Sequence, residues 1–167
     1  YAPGILKEHL HCRAACAVFD VSHMAPLMVQ ALSTRNDDAA AALEGLMPVD
    51  VAGLAPGRQR YGVLTNEDGG IIDDLMFANL TTQFYLVVNA GNAASVTEYL
   101  AKSLHGPCVA GPLTNRAMLA VQGPRAAEAM SWVAPEAGDM RSMDVREITV
   151  GPTTALVSRS GYTGEDG

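Results

Sequence analysis

Two adjacent carboxylates, Asp73 and Asp74, stand in "LTNEDGGIIDDLMF" (64–77), behind a glycine pair and inside an otherwise apolar run. Successive side chains of a regular strand point to opposite faces, so only one of the two can enter a given pocket. There it would act as an anchor or a base in a partly apolar cleft, where desolvation opposes ionisation unless amides or a positive ligand compensate. The competing reading is a hairpin edge whose carboxylates face solvent or bind turn amides. The doublet by itself does not choose.

Other residues offer weaker chemistry. His9, Cys12 and Cys16 in "HLHCRAAC" fall at i, i+3 and i+7 of a helical pattern, an angular cluster that suits soft metal ligands. No fourth ligand is nominated and the surrounding alanines suit packed thiols, so no metal is expected. His23 in "DVSHM" has the chemistry of an acid or base, and equally of a packed or capping group. Asp20, Ser22 and His23 are hydrolase-triad types whose closeness in sequence supplies no triad geometry. "SGYTGEDG" (160–167) joins glycines that allow close backbone approach to Glu165, a carboxylate able to accept hydrogens from a heterocycle. It lacks the spacing and lysine of a phosphate loop.

The elements that must position these groups follow from periodicity. Residues 5–19 carry Ile5, Leu6, Leu10 and Ala14 near one helical face and predict a helix running into "DVSHM". A strand is expected at 26–32, then a helix at 36–47 capped by Asn36 or Asp37. Strands at 60–66 and 71–80, joined by "EDGG", form the clearest hairpin, followed by a strand at 84–90. A helix at 92–104 places Val96, Leu100 and Leu104 on one side. Further on come a strand at 116–123, a helix at 124–133 opened by a proline, and a strand at 153–160. "VQGP" suggests a packing and turn device. The sum is an α+β fold, a mixed and mainly antiparallel sheet with packed helices, in a single region over 1–167.

Composition limits the partners. Eighteen acidic against eleven basic side chains give a formal charge of −7, which works against nucleic-acid binding through a broad cationic surface. Three cysteines are an odd count in a chain large enough not to need staples, which favours a reducing compartment. No apolar run approaches the roughly 20 residues of a spanning helix, so no membrane association is expected. The start at "YAPG" and the stop after a turn-rich motif suggest that parts of a longer protein lie beyond both ends.

Taken in order, "VFDVSHM", "RYGVLTNEDGGIIDDL", "FYLVVNAGN", "LAVQGP" and "SRSGYTGEDG" resemble the aminomethyltransferase family of the glycine cleavage system, the T-proteins. The resemblance covers nearly the whole chain. It implies a tetrahydrofolate-dependent enzyme that takes a lipoyl-bound aminomethyl group from H-protein, releases ammonia and forms 5,10-methylenetetrahydrofolate. Carried over by motif, Asp74 is the catalytic aspartate near folate N5 and Asp73 its neighbour, supporting the hairpin or facing outward. Tyr61 is a folate-contacting tyrosine, Met24 a pocket-lining methionine, Val88 and Asn89 the pterin-contacting end of "VVN", and Glu165 the acceptor of pterin hydrogens. For Met24 and Val88, core packing competes with this role.

Two residues depart from the family pattern. Ala78 stands where an aromatic pocket residue is common, and Ala25 replaces the usual glycine after "SHM". Contact with acidic H-protein would require a local basic patch from Lys7, Arg13, Arg58, Arg60, Lys102, Arg116 and Arg125, which equally suit a solubilising surface. The resemblance also extends to folate domains of dimethylglycine or sarcosine oxidising enzymes and to non-catalytic folate-binding relatives. It implies the bacterial cytoplasm or the mitochondrial matrix, the cytoplasm being favoured.

Overall fold

The computed structural model of the chain describes residues 2–33 and 35–167. Its elements in chain order are α1 (Ile5–Ala14), β1 (Ala17–Asp20), β2 (Ala25–Ala31), α2 (Asn36–Glu44), β3 (Arg58–Thr65), β4 (Ile71–Asn79) and β5 (Phe84–Val88). There follow α3 (Ala93–Ser103), β6 (Cys108–Pro112), β7 (Leu119–Gln122), α4 (Ala126–Ser131), β8 (Val145–Val150) and β9 (Thr153–Ser158). They divide into two compact units, Ser22–Arg116 and Tyr1–Val21 with Ala117–Gly167. Every strand pairing among the described residues is antiparallel, in keeping with the expected α+β class.

The Ser22–Arg116 unit is an open five-stranded sheet in the order β3-β4-β5-β2-β6. Strand alternation sends Leu27 and Val29 of β2, Leu64 of β3, Leu75 and Phe77 of β4, and Leu86 and Val88 of β5 to one face. That face closes on Leu43 of α2 and on Val96 and Leu100 of α3 to make one core. The apolar side of α3 is thus the one its spacing predicts, with Leu104 packed at its margin. The hairpin turn is held by Asn66, whose Oδ1 accepts from the Gly70 and Asp68 amides at 2.7 and 3.1 Å.

Three expectations for the helices fail. The α2 amino terminus is capped by the extended backbone of Arg35 without a side-chain hydrogen bond. Asn36 instead donates from Nδ2 to Asn79 Oδ1 at 2.9 Å, where a long-range partner has won over a local cap. The helix expected over 5–19 stops at Ala14, and Ala17–Asp20 pairs with Leu119–Gln122 as a two-stranded ribbon. "AVFD" is β-branched and aromatic at its centre, and a waiting strand overrides the helical period. The predicted apolar face is also wrong: Ile5 and Leu6 are exposed, and Cys12 is the buried residue of α1.

The reason lies at Gly123. It has φ +135°, and a Cβ there would stand 2.4 Å from the Ala15 carbonyl oxygen and 2.7 Å from that of Cys12. The end of α1 therefore presses its backbone, around Cys12, against the turn after β7, and the Arg125 amide donates to the Ala15 carbonyl at 2.9 Å. "VQGP" is the packing device its sequence suggests. Gly123→Ala should destabilise this unit by about 2 kcal/mol or more, from backbone strain and collision together. Denaturant unfolding of the chain and its variant measures it.

Candidate functional site

The aspartate doublet sits near the start of β4, where Asp74 is in register with Val63 and Asp73 with Leu64. Asp73 shares the core face with Leu75 and Phe77 and is 7% exposed. Its burial overturns the outward-facing alternative, and its side chain bonds Asn89 rather than the turn amides. Alternation turns the half-buried Asp74 to the opposite face. There the Tyr61 hydroxyl, from β3, donates to Asp74 Oδ2 at 3.0 Å.

Asn89 joins the two aspartates. Leu75 pairs with Val88, and Val88 with Ala25, so Asp74, Asn89 and Met24 continue from one end of the β4, β5 and β2 ladders. From that position Asn89 Nδ2 donates to Asp74 Oδ1 at 2.8 Å, to the Asp74 carbonyl at 3.0 Å and to Asp73 Oδ1 at 3.1 Å. Met24 is half-buried just before β2. Val88 places its side chain in the core at 0% exposure. The result is a carboxylate fixed from both sides by neutral donors, beside an exposed aromatic ring, at the end of a rigid sheet. Such a group can bind or take a proton from an N–H-bearing ligand, or stabilise a developing cation.

Glu165 belongs to the other unit, in the loop after β9. Its Oε1 pairs with Arg13 Nε of α1 at 2.9 Å, and Arg13 Nη1 donates to the Thr163 carbonyl at 3.3 Å. Gln122, 4% exposed at the end of β7, braces the same loop, its Oε1 accepting from the Tyr162 amide at 2.6 Å. Arg159 closes the loop through Asp166 at 2.6 Å. Arg13, Gln122 and Asp73 carry structural weight at these groups that sequence reasoning did not assign. No local pattern in the sequence reveals their partners, which lie far away along the chain.

The histidine and cysteine cluster does not assemble. His9 is exposed, while Cys12 is buried with its thiol donating to the Gln122 carbonyl at 3.5 Å. Burial, and then the neighbouring Cys12, push the Cys16 thiol above its ordinary value, opposite to the thiolate a metal requires. No group of three metal-ligating side chains gathers among the described residues, and none of their helices is long and apolar enough to cross a membrane. Arg13, Arg60, Lys102 and Arg125 each pair with a carboxylate, which weakens them as a free basic patch.

Known proteins share this chain's pattern. The family model of the GCVT N-terminal domain matches residues 1–167. A mitochondrial aminomethyltransferase of Dictyostelium discoideum is 33% identical over all of this chain and 43% of its own length. The aminomethyltransferase of Thermus thermophilus is 38% identical over 98% of this chain and 47% of its own. The crystal structure of glycine cleavage system aminomethyltransferase T from Bartonella henselae superposes with a TM-score of 0.84 at 40% identity, over 99% of this chain and 44% of that one. The chain therefore spans less than half the length of these relatives.

The ion pair of the Glu165 loop has a definite pH dependence. Hydrogen bonding to Arg159 holds the Asp166 carboxyl below its ordinary value. Its contribution is complete above the unfolded aspartate range and is lost as pH falls through the lower folded value. The thermal midpoint of Asp166→Asn should lie below that of the parent at neutral pH, and the two should converge in acid. Melting curves across pH 2–7 check this.

Proposed function

Because the chain belongs to the GCVT N-terminal domain family, matched over its whole length, we propose that it supplies the folate-binding side of an aminomethyltransferase. The parent enzyme moves an aminomethyl group from the lipoyl arm of H-protein to tetrahydrofolate, releasing ammonia and forming 5,10-methylenetetrahydrofolate. The compartment is proposed to follow the source, the mitochondrial matrix in a eukaryote and the cytoplasm in a bacterium. One observation carries the reading: Tyr61 and Asn89 converge on Asp74 and fix both its oxygens at the end of the sheet.

The acceptor set suits a reduced pterin. Such a ring is rich in N–H groups, and this chain offers acceptors, namely Asp74 and the oxygen of Asn89, with the partly exposed Tyr61 beside them. Tetrahydrofolate supplies the nucleophilic nitrogen and accepts the carbon. Asp74 orients that nitrogen, receives its proton directly or through a water, and stabilises the cationic iminium that develops as ammonia leaves. Covalent attack by Asp74 is unnecessary, because folate is the acceptor.

Tyr61 holds one oxygen of Asp74 and Asn89 the other, which limits the carboxylate to one orientation and leaves its remaining lone pairs for the ligand. Met24 is proposed as an apolar wall beside them. Val88 acts through the core, where it positions Asn89 at the end of β5. Glu165 is kept as an acceptor of pterin hydrogens on the strength of "YTGEDG", and in that role it would share its charge between Arg13 and the ligand.

In full-length protein, Asp74→Asn should lower the transfer rate by about 100-fold or more, as expected when an acid–base or charge-stabilising group is removed. Asp73→Asn should cost far less. Ammonia release and methylenetetrahydrofolate formation from aminomethylated H-protein give the rates, and the reverse ranking overturns the assignment. Calorimetry with tetrahydrofolate tests the reading upstream of chemistry: a folded full-length enzyme that does not bind it refutes the proposal.

A further inference from the structure

We propose that Asp73 is a positioning residue that locks the Asn89 side chain as a pure hydrogen-bond acceptor toward the ligand. The inference rests on the folate reading for the identity of that ligand, but the lock itself is a property of the protein alone.

An amide side chain has one donor end and one acceptor end, and either can be turned toward a site. At Asn89 the choice is dictated by its surroundings. The amide nitrogen faces Asp73 Oδ1, the Asp74 carbonyl and Asp74 Oδ1, all acceptors, at 2.8 to 3.1 Å. The flipped amide would set its own oxygen against all of them and leave no hydrogen bond. Both amide hydrogens are consumed by the doublet, and no described residue donates to Asn89 Oδ1. Asn89 therefore presents an acceptor, matched to a ring N–H or amino group and mismatched to a ligand acceptor.

Asp73 is costly where it stands. It lies on the core face at 7% exposure, and its Oδ2 has no hydrogen-bond partner. Its neighbours on that face are Leu75 and the cross-strand Leu64, both buried. An apolar β-branched side chain would suit this position in the core better. A carboxylate held at an energetic loss, with its one hydrogen bond spent on a neighbour of Asp74, has the signature of a group kept for orientation rather than stability.

Asp74 alone would hold Asn89 less strictly. Asp74 Oδ1 belongs to a side chain that the ligand itself can pull, and the Asp74 carbonyl, fixed in β4, engages only one of the two amide hydrogens. Asp73 Oδ1 is anchored from within the core and does not move with the ligand. Asp73 Oδ1 and the Asp74 carbonyl together keep the amide in one orientation while the Asp74 side chain exchanges hydrogen bonds or protons.

The experiment uses the full-length protein and three variants: Asp73→Val, which removes the acceptor, Asp73→Ala as a second form of the same deletion, and Asp73→Asn, which retains an acceptor oxygen. Nitrogen-15 NMR follows the Asn89 side-chain amide, assigned by its loss in Asn89→Asp, with exposed Asn92 as reference. Exchange of the Asn89 amide hydrogens should be slower than that of Asn92 by about tenfold or more in the parent and in Asp73→Asn. In Asp73→Val or Asp73→Ala it should accelerate toward the Asn92 rate. Asp73→Val should also melt no lower than the parent, yet bind tetrahydrofolate about tenfold more weakly, with Asp73→Asn near the parent affinity. Unchanged Asn89 protection in Asp73→Val or Asp73→Ala overturns the lock, whatever the affinities. A parent protein that binds no tetrahydrofolate refutes the functional reading instead, and the exchange rates still decide the role of Asp73.

Discussion

The two-residue period of β4 is the constraint on which the candidate site depends. Because adjacent side chains of a strand point apart, the doublet divides into a carboxylate in the core and a carboxylate on the opposite face. The division would isolate them, except that the next strand ends level with the doublet and supplies Asn89 to touch both. Helices α2 and α3 bury the core face and so fix the pleat of β4. Moving the register by one residue would exchange Asp73 for Asp74, place the wrong carboxylate beside Tyr61 and expose Leu75 and Phe77. The core and the site are thus specified by the same alternation, and the energy of burying Leu75, Phe77, Leu86 and Val88 is also what holds Asp74 in place.

Local signals made much of this legible. The "EDGG" turn between β-rich runs announced the β3–β4 hairpin, and the spacing of Val96, Leu100 and Leu104 announced the buried side of α3. Geometry alone established that the aspartates part company, and motif resemblance nominated Asp74. Which of them the core would take was not legible: a lone charge beside Leu75 gives no sequence signal of burial, since carboxylates are seldom buried. The outcome was decided by register with β3 and by the helices on one face, both of which are long-range facts.

The first 20 residues failed for a related reason. Ile5, Leu6 and Leu10 have helical spacing, but periodicity says only that residues share a face, not that anything covers it. The contact that orders α1 is instead backbone against backbone, at Gly123, over a separation of more than a hundred residues. Arg13 is invisible in the same way, because its partner Glu165 lies at the far end of the chain. Ion pairs of this kind leave no local pattern, whereas the pairs at Glu98–Lys102 and Arg125–Glu128 lie within one helical turn and can be read directly from spacing.

The two departures from the family pattern can now be weighed by position. Ala25 begins β2 opposite Val88 and is not among the non-glycine residues with positive φ, so an alanine meets no backbone strain there. Ala78 lies on the same strand face as Asp74 but four residues along β4, roughly 13 Å away at the rise of an extended chain. It is 2% exposed, and its cross-strand neighbours are Gln59 and Tyr85. Burial holds the Tyr85 phenol above its ordinary value, which marks its ring as partly withdrawn from water next to the small alanine. A small residue paired with a large one across a ladder conserves volume between them. Ala78 therefore sits at the far end of the face, separated from the doublet by Met76, and the hydrogen bonds that orient Asp74 are made without it.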